Sequence, residues 1–126
     1  MQTKEITVLM VEPGKHPIAI KLNNDLDSLQ KAVSIGADYQ GLIEFVDLGN
    51  GDCIMCNEEG KLIGLKGNRR LGNDILVGVF YIMSENENGE LISLSAEKIK
   101  RYTNLFWEPE SFSYDEIDAT MTCRFF

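Results

Sequence analysis

The chain has 126 residues, 44% of them apolar and 25% charged, which is the composition of one ordinary globular domain. Its formal net charge of −8 opposes general affinity for the nucleic-acid backbone, which needs Lys and Arg to neutralise phosphates. No apolar run approaches the roughly 18 residues that a bilayer span needs, and a chain of this size buries roughly two thirds of its unfolded surface, enough for a core without staples.

The start, Met1-Gln2-Thr3-Lys4-Glu5, lacks the charged-then-apolar pattern of a secretory leader. Cysteines at 53, 56 and 123 are odd in number and sparse, so they read as reduced thiols rather than a disulfide framework. A cytoplasmic protein is the expectation.

Ile6 to Val11 is a nearly unbroken apolar run and predicts a strand buried on both faces. Glu12-Pro13-Gly14-Lys15 stops it. Ile18, Ile20 and Leu22 then alternate with Ala19 and Lys21 as a half-buried strand, antiparallel to the first. Asn23-Asn24-Asp25 supplies N-cap side chains, and Leu26, Leu29, Ala32 and Val33 follow at helical spacing, so a helix is predicted over Asp25 to Ile35. Leu42 to Val46 and Cys53 to Cys56 read as strands joined at Gly49-Asn50-Gly51. Leu62 to Leu65 is expected as a short fifth strand completing a meander, and Gly67 to Asp74 as a polar loop. Ile75 to Met83, the longest apolar run, is expected to be one central strand. Ser84 to Glu90 is a turn. Ser95 caps a second helix, Ala96 to Phe106, whose apolar positions are Ile99, Tyr102 and Phe106.

Strands in hairpin clusters argue for one α+β domain, residues 1–106, with a mainly antiparallel sheet of about five to seven strands and two helices. Residues 107–126 form an acidic tail carrying Trp107, Phe112, Tyr114, Phe125 and Phe126. That many aromatics predict an ordered tail. It packs either on its own domain, with Ala119 to Phe126 adding an edge strand, or on a second copy, so monomer and homodimer both stay open.

Cys53 and Cys56 have the spacing of a zinc or redox pair, but on a strand residues three apart face opposite ways and cannot chelate one ion. His16 is the only histidine, lies in a turn and has no nucleophile elbow to serve. The Pro13-Gly14-Lys15 turn lacks the glycine spacing and following helix of a phosphate loop, and the acids Glu58 and Glu59 lack the ligand spacing of a calcium loop. Neither metal nor cofactor is expected. Lys66, Arg69 and Arg70 form the one basic cluster, and arginine grips carboxylate or phosphate with a two-pronged fork. Pairing of these arginines with the acidic tail is the alternative.

Val11-Glu12-Pro13-Gly14-Lys15, Leu26 to Val33, Cys56-Asn57-Glu58-Glu59-Gly60-Lys61, Asn68-Arg69-Arg70 and Ile75 to Phe80 together resemble a bacterial and phage family, domain of unknown function 3846. The resemblance covers about Ile6 to Phe106. The family has no assigned activity, so no catalytic residue carries over. The resemblance implies an accessory protein of a mobile genetic element, in some cases near genes that blunt host restriction.

The expected function is a non-enzymatic binding or regulatory module whose site comprises Asn57, Glu58, Lys61, Asn68, Arg69 and Arg70, facing a protein partner or a small anionic ligand. A small enzyme acting on an anionic substrate, with the same arginines and Glu12 or Glu58, is the first alternative. An acidic DNA mimic that occupies a host DNA-binding protein is the second.

Overall fold

In the computed structural model, which describes residues 4–123, Glu5–Val11 forms β1 and pairs antiparallel with β2, Ile18–Asn23, setting Ile6 opposite Leu22 and Val8 opposite Ile20. Met1–Thr3 and Arg124–Phe126 lie outside the described residues, and with them the reading of the chain's start and of Phe125 and Phe126. The helix α1, Leu26–Val33, begins at Asp25, whose carboxylate accepts from the Ser28 N–H at 2.8 Å. Strands β3, Ile43–Gly49, and β4, Asp52–Asn57, make a hairpin across Asn50. After them come β5, Gly67–Leu71, β6, Asp74–Val77, β7, Phe80–Glu85, and β8, Leu91–Ile92. The helix α2, Ala96–Leu105, is capped by Ser95, and a third helix, α3, spans Tyr114–Cys123.

The fold is α+β. Six strands form one antiparallel sheet in the order β2-β1-β7-β4-β3, with β8 extending along β7, while β5 and β6 form a separate two-stranded sheet. Alternation along each strand divides the main sheet's side chains between two cores. Ile6, Val8, Met55, Tyr81 and Met83 pack under α1 through Leu29 and Val33. Leu9, Val11, Ile54, Phe80 and Ile82 pack on the other face with Tyr102 and Phe106 of the α2 segment. Burial on both faces is why β4 and β7 read as continuous apolar runs rather than alternating ones. A third core lies under α3, where Ile117 and Phe112 meet Leu65, Ile75 and Val77.

Four sequence expectations change. Leu62 to Leu65 is not a strand but a series of turns, closed by Ile63 N–H to Glu59 O at 3.0 Å and Leu65 N–H to Gly60 O at 2.9 Å. The meander had no place for it, because β3 and β7 already occupy both edges of β4. Gly67 to Asp74 is not a loop but contributes β5 and the turn into β6. Ile75 to Met83 is not one strand: it breaks at Gly78, which sits at φ +70° and sends β6 and β7 into different sheets. The segment from Ala119 to Cys123 is helical rather than an edge strand, so the tail contributes a third helix.

Gly78 is constrained twice, since a Cβ there would also stand 2.7 Å from Leu65 Cδ1. Gly64 has a similar φ of +75° with open space around it. Gly64→Ala is therefore expected to cost about 1 kcal/mol from backbone strain alone, and Gly78→Ala distinctly more. Urea unfolding of the two variants checks the ordering, and equal losses would remove Gly78 from its hinge role.

Candidate functional site

The basic cluster divides along β5, because neighbouring strand residues point to opposite sides. Asn68 and Arg69 turn inward and are 0% and 1% exposed, at a point where the β5–β6 register shifts. The Asn68 amide donates to Val11 O at 2.8 Å and Gly78 O at 2.7 Å, while its own Oδ1 accepts from Arg69 Nη1 at 2.8 Å. Arg69 Nε donates to Phe106 O at 3.0 Å, and its Nη2 donates to Lys15 O. Phe106 is the C-cap of α2, where the terminal carbonyls lack helical partners and the dipole favours a cation. Burial lowers the Arg69 pKa, with Glu110 opposing the shift. Two side chains thus tie together the end of β1, the β1–β2 turn, the Gly78 hinge and the end of α2.

Arg70 faces out. Its guanidinium lies 3.7 Å from Glu116 and 5.5 Å from the centre of the Phe112 ring, and its N–H donates to Glu110 at 3.0 Å. These contacts fasten α3 and the segment before it.

Asn57, Glu58 and Lys61 come together around a pocket of about 120 Å³. Buried Asn57 donates to Val33 O at 3.3 Å and accepts from the Glu59 N–H at 2.8 Å, which holds the turn against the end of α1. Glu58 is exposed at the rim, its backbone fixed to Leu42 O at 2.9 Å. The Lys61 ammonium binds the Asp74 carboxylate and Thr120 Oγ1, the latter at 2.8 Å, joining turn, hairpin and α3. Cys56, Leu62, Leu76, Val77 and Met121 complete the walls together with Glu44 and Asp74. Three carboxylates against one lysine make this pocket acidic. Of the residues expected to form a site, then, Asn57, Glu58 and Lys61 share this pocket, Arg70 lies on the surface beside α3, and Asn68 and Arg69 lie in the interior.

One polar constellation went unread in the sequence. Asp52, 1% exposed, accepts from Ser84 Oγ at 2.8 Å, Lys98 Nζ at 2.7 Å and Tyr102 OH at 2.6 Å. Its burial would raise the carboxyl pKa, but the bonds from Lys98, Tyr102 and Ser84 together outweigh burial and the net shift is downward. Burial, then the Asp52 carboxylate, pushes the Tyr102 phenol up to about 12. The sequence signal was an acid directly after a Gly-Asn-Gly turn, but its partners lie 32 to 50 residues away.

Cys53 packs in the core under α1 and Cys56 in the opposite one, so the pair straddles the sheet. Burial pushes the Cys53 thiol up to about 11, with Glu85, Asp52 and Asp47 adding to the shift. His16 donates through Nδ1 to Trp107 O at 2.6 Å and stacks on the Trp107 ring at 3.9 Å, closing the β1–β2 turn over the end of α2. Among the described residues no group of three or more His, Cys, Asp or Glu side chains is arranged to hold a metal ion, and no helix is long and apolar enough to cross a membrane.

A family model described as domain of unknown function (DUF3846) matches residues 6–107, and the chain belongs to that family. No curated protein and no solved structure matches the chain. Helix α3 and its pocket residue Met121 lie beyond the matched span.

The two arginines have separable roles. Arg69→Ala strands several buried carbonyls and is expected to cost about 3 kcal/mol or more, since each unsatisfied buried acceptor costs about 1–3 kcal/mol. Arg70→Ala removes an exposed pair and should stay within about 1 kcal/mol. Urea denaturation of both variants checks this, and comparable losses would contradict it. The Asp52 network makes a second prediction, on pH. A raised tyrosine pKa stabilises the fold fully below the unfolded value of 10.0, and this contribution is lost as pH climbs through about 12. The lowered Asp52 pKa acts at the other end, its contribution being lost as pH falls below 3.8. Tyr102→Phe should therefore cost about 1–3 kcal/mol at pH 7 and show a shallower alkaline loss than wild type in unfolding curves at pH 7, 10 and 11.5.

Proposed function

We propose that this DUF3846 protein is a non-enzymatic binding module of a mobile genetic element, acting in the cytoplasm through the pocket between the Asn57–Lys61 turn, the β5–β6 hairpin and α3. The observation that carries the reading is the contrast between that pocket and the rest of the polar inventory. Asn68, Arg69, Asp52, Ser84 and Tyr102 are buried and bonded to one another or to backbone, as scaffold groups are. The pocket instead combines apolar walls with carboxylates at its rim, the mixture by which a binding site gains area and orientation.

Charge selects the kind of partner. With Glu44, Glu58 and Asp74 around a single Lys61 that is already bound to Asp74, the pocket favours a basic or apolar group over an anion. An anionic ligand would have to be met by Arg70 and Lys66 on the surface, since Arg69 is spent on carbonyls. A protein partner presenting basic and apolar side chains is the reading favoured here. The mobile-element setting rests on family resemblance, and the reducing compartment on the sparse cysteines, of which Cys53 and Cys56 are buried on opposite faces of the sheet.

Affinity capture from host lysate tests the site with the double variant Glu58→Arg, Leu62→Asp. Both side chains are exposed, Leu62 at 73%, so the melting temperature should stay within a few degrees of wild type. Loss of the captured species from the folded variant is expected. Capture at wild-type level would place the site elsewhere.

A further inference from the structure

On the main path of the sheet the terminal strands are β2 and β3, and each offers one unpaired edge among the described residues; β8, which pairs with β7 alone, is two residues long. An open edge presents a row of N–H and C=O groups ready to accept another strand unless it is guarded. The edge of β2 is guarded by Pro17 immediately before it and by Lys21 within it. The edge of β3 is seven residues long, has no lysine or proline, and carries Phe45 at 49% exposure. Leu42, just before it, is 56% exposed.

Alternation along β3 gives this edge two different faces. Phe45 pairs with Met55 on the side covered by α1, while Glu44 pairs with Cys56 on the other side, where both line the acidic pocket. A strand added along β3 would therefore lay alternate side chains beside Phe45 and beside Glu44, and those beside Glu44 stand at the mouth of the pocket. Carboxylates occur on both faces, at Glu44 and Asp47.

We propose that the β3 edge is a strand-addition site for an extended, basic protein segment with alternating apolar residues, its pocket-side basic residues held by Glu44 and Glu58. The proposal rests on the pocket reading above and deepens it by naming the partner's backbone conformation and charge. Charge complementarity decides the occupant. A second copy of this chain is disfavoured, because it would bring another chain of net charge −8, with the same Glu44 and Asp47 carboxylates, to this edge. A basic segment turns the same carboxylates into cross-strand attractions, while main-chain bonds to β3 supply affinity without regard to sequence.

The test uses the full chain, labelled with ¹⁵N, and a capped ten-residue peptide alternating lysine and valine. A peptide alternating glutamate and valine is the control. The expected result is shifts along Ile43–Gly49, at least tenfold slower amide exchange for part of that strand, and no response to the glutamate peptide. Affinity should fall at least tenfold in Glu44→Lys and, independently, in Glu58→Lys. No binding at millimolar peptide, or shifts confined to Ile18–Asn23, overturns the proposal. Shifts confined to Asn57–Leu62 and β6 overturn strand addition and leave the pocket reading standing. Protection of β3 that is indifferent to Glu58→Lys and to the double variant Glu58→Arg, Leu62→Asp supports strand addition and removes the pocket. Protection that grows with protein concentration in the absence of peptide shows self-pairing and overturns the proposed partner.

Discussion

The arrangement of the molecule depends on a buried arginine that, among the described residues, is answered by carbonyls rather than by a buried carboxylate. Arg69 is held by backbone carbonyls and by the amide oxygen of Asn68. Burying a charge is costly unless hydrogen bonds replace the water that is lost. Here the replacement comes from carbonyls that also need a donor, above all Phe106 O at the end of α2. The exchange works only if the β5–β6 hairpin, the β1–β2 turn and α2 all reach the same point. The node therefore fixes where the hairpin lies, and the hairpin supplies Asp74, Ile75, Leu76 and Val77 to one wall of the pocket.

A second buried node plays the corresponding part at the other end of α2. Lys98 and Tyr102 reach from the helix to Asp52 at the start of β4, and Ser84 approaches it from β7. The helix is thus held through Asp52 near its start and through Arg69 at its end. At the Arg69 end, Phe106 also packs edge-on against Phe80, with ring centres 5.4 Å apart. These polar groups have the residue types of a catalytic site, yet each is satisfied by a neighbour inside the protein. Their chemistry is spent on position, whereas Glu58 stands exposed at the rim of the pocket.

What the sequence disclosed was local. The periodicities of β1, β2, α1 and α2 and the caps Asp25 and Ser95 follow from residues within a few positions of each other, and they are legible for that reason. The β5–β6 hairpin was not legible, because Gly67-Asn68-Arg69-Arg70 has little strand character of its own. It is a strand because its side chains reach Val11, Lys15 and Phe106, as many as 57 positions away. The break at Gly78 was hidden inside an apolar run whose composition is uniform on either side of it. Within the site, the turn residues Asn57, Glu58 and Lys61 were readable as neighbours, whereas the opposite wall from β6 and α3 depends on tertiary contact. Adjacent arginines suggested a shared role, but strand alternation gives one of them to the interior and the other to solvent.

The central claim is that Arg69 is an internal brace and the recognition surface lies elsewhere. Arginine side-chain NMR tests it directly, by following Nε–H exchange with solvent for Arg69 and Arg70 in one sample while inorganic phosphate is added. The account predicts that the Arg69 Nε–H exchanges at least a hundredfold more slowly than that of Arg70 and keeps its shift throughout the titration. Equal exchange at the two arginines, or an Arg69 resonance that moves with phosphate, would contradict it.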